Sequence, residues 1–240
     1  MNFIGIDVHL NSFTIACIDS ELNIKNIEDM TETRLFEYIK EADPKVIGID
    51  APYDLNKGYM DDPDYRSKLD PKLKGHYNKK VGEYELSRRR ISLYNTPKSL
   101  DDVTGWKSWM KVGMELYRKL GVIGYEHLNE SNIKDFKRGT IEVFPHGCFI
   151  TLIGHIPTKK TTDEGLEERI NLLKSVGFRD LTGIIGSKQV KSDKLDSIIA
   201  AYAALTTYKG QSTFLGDIRE GQIVVPITNL KDKYNYGEKI

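Results

Sequence analysis

The tetrapeptide Ile-Gly-Ile-Asp occurs twice, at residues 4–7 and 47–50, each time closing a short apolar run (FIGID and VIGID). Runs this short and this rich in β-branched residues read as strands. Apolar residues at consecutive positions of a strand imply that both faces are covered, the habit of a parallel sheet enclosed by helices. An aspartate beside such a core is costly unless it is paired, hydrogen-bonded or bound to metal. A single Asp in that position reads as a cap or turn residue after a strand; two in the same context weaken that reading. If the two strands are parallel neighbours, Asp7 and Asp50 lie side by side. Like charges that close call for a proton or a cation between them.

The rest of the chain supplies a frame. Residues 2–8 and 12–18 pattern as strands, and the short polar link His9–Asn11 makes them an antiparallel hairpin, with a third strand near 22–27. Residues 31–42 read as a helix capped by Thr31 or Thr33, with Leu35, Phe36 and Ile39 on its apolar face and Asp43-Pro44 at its end. A polar, weakly periodic stretch at 53–138 reads as an insertion between two core strands. Within it, 81–90 and 107–120 read as helices, and Trp106, Trp109, Met110, Val112, Met114 and Leu116 supply apolar surface. A strand at 140–144 follows, ended by Pro145, then an amphipathic helix at 164–176 with Gly177 past its end. Residues 192–208 are the strongest helix, with Ser192 as its N-cap, Asp193 in its first turn and Ala200, Ala201, Ala203 and Ala204 for close packing on a sheet. The segment GQIVVP adds a last short strand or extended piece. The expectation is one α/β domain over 1–240 with a mixed sheet, its ligands at the carboxyl ends of the parallel strands.

Charge narrows the partners less than it might. The 35 basic and 35 acidic side chains balance. Residues 65–90, however, hold nine Lys or Arg against three acids. That run is either a solvated helical surface or a face toward a polyanion. The two cysteines have no CxxC spacing, Cys17 sits in an apolar strand pattern, and reduced thiols are expected. The start runs directly into a strand pattern, and no apolar run approaches the ~20 residues that span a bilayer. A cytoplasmic protein without membrane contact is expected.

Further acids join the two aspartates. Asp193 and Asp196 share one helical face. Capping explains Asp193; Asp196, next to Ile198 and Ile199, is harder to explain that way. Glu142, mid-strand between Ile141 and Val143, faces either solvent or the acidic cluster. In EYELSRRR, Glu85 and Arg88–Arg90 make either a salt-bridged face or a phosphate grip, and Lys159 and Lys160 can bind phosphate from a loop. Carboxylates are hard ligands suited to Mg²⁺ or Mn²⁺, and two such ions about 4 Å apart can activate water and stabilise a leaving oxygen. Zinc fits less well, because His9, His76, His127, His146 and His155 show no ligand-pair spacing; His146, near Glu142, reads as a proton-transfer group or a turn residue. Walker, GxGxxG and GxSxG signatures are absent.

Taken together, the segments IGIDVHLNSFTIACID, VIGIDAPYDL, YELSRRRISLYNTP, IEVFPHGCF and KSDKLDSIIAAYAAL followed by IVVP resemble a family of uncharacterised predicted nucleases with an RNase H-like fold. The last helix also looks like the metal-binding helix of Holliday-junction resolvases. The resemblance implies a mixed five-stranded sheet whose first three strands are antiparallel. It implies Asp7 and Asp50 as metal ligands on adjacent strands, with Asp193 or Asp196 as ligands from the final helix. Glu142, Glu85 and Arg88 fall within shared motifs, while the long basic segment after VIGIDAPYDL departs from the pattern. The expected function is a divalent-metal-dependent nuclease or phosphodiesterase. Asp7, Asp50 and Asp196 would ligate Mg²⁺ or Mn²⁺, with Asp193 assisting and Arg88, Lys159 and Lys160 holding phosphate. The alternative is a non-catalytic nucleic-acid or nucleotide-binding module on the same fold.

Overall fold

The computed structural model describes residues 1–69, 75 and 77–237. The expected hairpin forms from β1 (Asn2–Val8) and β2 (Phe13–Asp19), with Asn2 opposite Asp19 and Val8 opposite Phe13. β3 (Ile24–Met30) lies antiparallel to β2 and starts later than its composition suggests. The delay is a turn: the Asp19 carboxylate accepts hydrogen bonds from the backbone N–H groups of Glu21 and Asn23, and Leu22 takes φ of 66°. α1 (Glu32–Ala42) is capped by the Thr31 side chain rather than Thr33 and ends at Asp43 in the left-handed conformation. β4 (Val46–Asp50) then pairs parallel with β1 in a register that puts Asp7 beside Asp50.

The polar segment that follows contains α2 (Pro63–Ser67), α3 (Val81–Arg88), α4 (Trp109–Val122) and β5 (Glu126–His127). β6 (Gly139–Val143) is parallel to β4. Pro145 does more than end that strand. It opens α5 (Pro145–Ile153), where its missing N–H costs nothing at the first helical position. This helix was not legible because PHGCFITLI is buried nearly all round and shows no amphipathic stripe. α6 (Asp163–Ser175), α7 (Lys188–Tyr208), β7 (Thr213–Leu215) and β8 (Ile223–Val225) complete the chain. The sheet runs β3-β2-β1-β4-β6-β8-β7, and β5 pairs with β6. Among the described residues it therefore has eight strands rather than the expected five. Of the additional strands, β8 is the short strand or extended piece expected in GQIVVP, while β5 and β7 hold two or three residues each, too few to carry a readable period.

The two Ile-Gly-Ile-Asp segments divide their side chains between the faces of this sheet. Ile4, Ile6, Ile47 and Ile49 pack toward α1 and α4, with Leu35, Ile39, Leu116 and Leu120. Gly5 and Gly48 point the other way, and by alternation so do Asp7 and Asp50. There α7 lies backbone against backbone on β1 and β4. A Cβ added at Gly5 would stand 1.9 Å from the Ser197 carbonyl oxygen and 2.3 Å from the Ala201 nitrogen. One added at Gly48 would stand 2.4 Å from the Ala200 oxygen. Ala200, Ala201, Ala203 and Ala204 are fully buried in that contact.

The insertion is fastened by buried carboxylates more than by apolar stripes. Glu142 accepts from Tyr53 N at 2.8 Å and from Lys80 Nζ at 3.0 Å. Glu220 accepts from Lys57 N at 2.9 Å and Val81 N at 2.8 Å. Glu83 accepts from the Thr96 N and Oγ1 at 2.8 and 2.5 Å. Each carboxylate replaces water for backbone donors that no strand or helix satisfies.

Two stability predictions follow from these contacts. Gly5→Ala and Gly48→Ala each cost about 3 kcal/mol or more in urea unfolding, since only movement of a helix backbone relieves the clash. Gly121→Ala, in α4 with open space around it, should instead be neutral or stabilise by up to ~1 kcal/mol. Lys80→Met leaves Glu142 a buried charge without its ammonium and costs roughly 3–5 kcal/mol; adding Glu142→Gln recovers much of that loss.

Candidate functional site

The site lies where β1 and β4 end and α7 crosses them. Asp7 and Asp50 project from the ends of adjacent parallel strands toward that helix. The cap of α7 is Ser187, whose side chain accepts from Val190 N, not the expected Ser192, which is buried within the helix. Asp193 therefore sits past the first turn, so capping does not account for it. Its neighbour on the same face, Asp196, is buried and takes a 2.6 Å ion pair from Lys160.

His9 is the member that sequence reasoning set aside. It follows Asp7 by two residues, the alternation that returns a side chain to the same face. Its Nε2 lies 3.0 Å from Thr14 Oγ1 and 3.6 Å from Asp7 Oδ2, and Thr14 donates in turn to Asp29. Among the described residues, Asp7, His9 and Asp193 each offer a ligand atom, all within 4.8 Å of one another, and they can hold a metal ion. Gln189 Nε2 orients Asp193 with a 2.6 Å hydrogen bond.

The electrostatics favour an added cation. Burial, then the neighbouring charges of Asp50, Asp196 and Asp193, push the Asp7 carboxyl well above its ordinary range. Burial and Asp196 do the same to Asp50. Asp50 Oδ1 is shut off from solvent and has no hydrogen-bond partner among the described residues. Lys160 is the cation already present. Burial opposes its charge, yet Asp196, Asp50 and Asp7 hold its ammonium above the ordinary value.

A cleft of about 820 Å³ opens over these acids. Lys159, Lys160, Arg169 and His146 contribute to its walls, as do Tyr94 and Trp109. Arg169 is buried; its Nη1 donates to the Thr158 and Gly165 carbonyls, and its Nη2 lies 3.5 Å from His146 Nδ1. A guanidinium can only donate, so His146 accepts at Nδ1 and keeps its proton on Nε2. Burial, reinforced by Arg169, lowers His146 to about 4, which leaves a neutral imidazole.

Other candidates lie elsewhere. Glu142 faces neither solvent nor the cluster itself, being bound to Lys80 behind it. Glu85 pairs with Arg88 at 2.8 Å and Arg89 at 2.6 Å on α3, and none of the three lines the cleft. Among the described residues the basic run is not one exposed face: Lys79, Lys80 and Arg89 are buried; Lys72, Lys74, Asp70 and His76 fall outside the described residues. His127 stacks on Tyr53 at 3.6 Å, and His155 pairs with Glu168 at 2.7 Å. Cys17 and Cys148 are both buried free thiols. Among the described residues, no helix is long and apolar enough to cross a membrane.

The molecule is thus a mixed α/β protein with a carboxylate-rich cluster at the ends of its parallel strands. Residues 5–220 match the family described as "Protein of unknown function (DUF429)", and the chain belongs to that family. No curated protein and no solved structure matches it.

The cluster makes a prediction about stability. Buried carboxylates held against one another destabilise the metal-free fold. Asp7→Asn and Asp50→Asn should therefore each raise the melting temperature in EDTA and diminish any rise caused by Mn²⁺, as read by differential scanning fluorimetry. Lower melting temperatures in EDTA would contradict this.

Proposed function

We propose that this protein is a divalent-metal-dependent phosphodiesterase, a nuclease on an RNase H-like fold. The observation that carries the reading is the side-by-side Asp7–Asp50 pair, with one buried oxygen unpartnered, beneath His9, Asp193 and a cleft bearing lysines. The donor set fits a cation. Asp7, His9 and Asp193 would hold it, Asp50 adds a free hard oxygen beside them, and Asp196 lies behind Lys160. Three hard oxygens and one imidazole suit Mn²⁺ at least as well as Mg²⁺. Bound there, a divalent cation supplies charge neutralisation and a water acidified enough to attack phosphorus.

The chain's own groups do the remainder. Lys159 and Lys160 hold the phosphate against the acidic floor. Lys160 can serve both partners, exchanging part of its hold on Asp196 for a phosphate oxygen when cation and substrate arrive together. Neutral His146, fixed by Arg169 to present Nε2–H, donates a hydrogen bond to a phosphoryl or leaving oxygen.

The second reading, a non-catalytic nucleic-acid or nucleotide-binding module, is favoured by the Lys160–Asp196 ion pair, which partly neutralises the cluster without metal. Turnover separates the two. Hydrolysis of bis(p-nitrophenyl) phosphate and of labelled DNA and RNA should require Mn²⁺ or Mg²⁺ and should fall at least ~100-fold in Asp7→Asn and Asp193→Asn. Metal-independent turnover, or full activity in the Asp7→Asn variant, would sink the phosphodiesterase reading. Undiminished nucleic-acid binding by Asp7→Asn with no turnover by either protein would establish the binding module.

A further inference from the structure

The cleft contains more aromatic surface than holding a cation and a phosphate requires. Tyr94 lines it, edge-on to Trp109 at 5.1 Å and 78° and to Phe144 at 6.0 Å and 84°. These rings are fixed by contact with one another and line the same cavity as Asp7 and Asp50. Two further aromatic residues frame its mouth, Trp106 at 70% exposure and Tyr236 at 81%. They come from distant parts of the chain, Trp106 from the insertion just before α4 and Tyr236 from the segment after β8. Large aromatic rings left in water at the rim of a cavity mark a binding surface.

Polar groups in the cleft say what that surface binds. Lys159 and Lys160 stand beside the acidic floor, so the ligand offers negative charge next to flat apolar rings. A nucleotide unit combines those two features. In duplex form its bases are stacked and paired out of reach of an aromatic wall; in a single strand they are free to stack on it. A cavity of about 820 Å³ is ample for one nucleotide. The division between inner rings (Tyr94, Trp109, Phe144) and rim rings (Trp106, Tyr236) gives a neighbouring base a platform as well, which a free mononucleotide would leave unused.

We infer that the cleft takes single-stranded nucleic acid, seating one unstacked base against the Tyr94–Trp109–Phe144 wall and the adjacent base on Trp106 or Tyr236. The inference deepens the phosphodiesterase reading, on which it relies for the position of the scissile phosphate. The base platform itself stands on the aromatic geometry. Stacking is tolerant of base identity, so binding should depend weakly on sequence and strongly on strandedness.

The test is fluorescence anisotropy with the full chain in Ca²⁺, using labelled oligothymidylate, oligouridylate and a duplex of equal length. It compares wild type with Trp106→Ala, Tyr236→Ala and the double variant, whose exposed positions leave the core intact. The single strands should bind at least roughly ten-fold tighter than the duplex. Each variant should weaken single-strand binding by roughly five-fold to a hundred-fold, while duplex binding changes little. Equal affinity for duplex and single strand, undiminished binding by the double variant, or no binding of either form by wild type would each overturn the inference. A parallel cleavage assay in Mn²⁺ separates the two claims. Single-strand preference lost with the aromatics, but without cleavage by wild type, upholds the stacking platform and removes the phosphodiesterase reading. Cleavage of duplex and single strand at equal rates by wild type and double variant does the reverse.

Discussion

Two carboxylates on a sheet meet two on a helix only because that helix touches the sheet with its backbone. Gly5 and Gly48 are the means. Without side chains on that face, β1 and β4 let α7 settle until Ser197, Ala200 and Ala201 occupy the space where a Cβ would stand. Strand alternation does the rest, since the aspartate two residues beyond each glycine must face the same helix. In each Ile-Gly-Ile-Asp segment, the isoleucines anchor the opposite layer, the glycine admits α7 and the aspartate meets the acids that α7 brings.

That closeness is unfavourable on its own. Asp7, Asp50, Asp193 and Asp196 repel one another in a partly desolvated place, and among the described residues Lys160 is the cation that lines the cleft and pairs with them directly. Elsewhere in the molecule buried carboxylates have partners: Glu83, Glu142 and Glu220 each accept from backbone N–H groups of the insertion, and Glu142 also holds Lys80. The contrast is informative. The same residue types serve as structural pins where backbone and ammonium donors meet them, while Asp50, among the described residues, keeps a buried oxygen without a partner. None of the three glutamates leaves such an oxygen among the described residues.

Much of this was legible in the sequence, and the unread parts have physical reasons. The hairpin, α1, β4 and the body of α7 announced themselves through period and caps, and the repeated tetrapeptide pointed to the adjacency of Asp7 and Asp50. The short strands β5 and β7 carried no period, and α5 is buried too evenly to show one. Ser187 was overlooked as the cap of α7, and that moved Asp193 out of a bland first-turn role. His9 was read as part of a turn, although its spacing from Asp7 placed it on the same face. The two main helices of the insertion were legible, at 81–90 and 107–120, but the way it is fastened was not, because pins between residues as distant as Lys57 and Glu220 leave no local pattern. For the same reason Trp106 and Trp109 counted as general apolar surface, when the fold sets them in the wall of the acidic cleft.

The central claim is that the contact of α7 with the two glycines assembles a cation site. Anomalous diffraction from crystals grown with Mn²⁺ tests it most directly. The account predicts a peak within bonding distance of Asp7, His9 and Asp193, with the Asp50 carboxylate turned toward it. Crystals that diffract well and show no peak there, with Asp7 and Asp50 sharing a hydrogen bond instead, would contradict it.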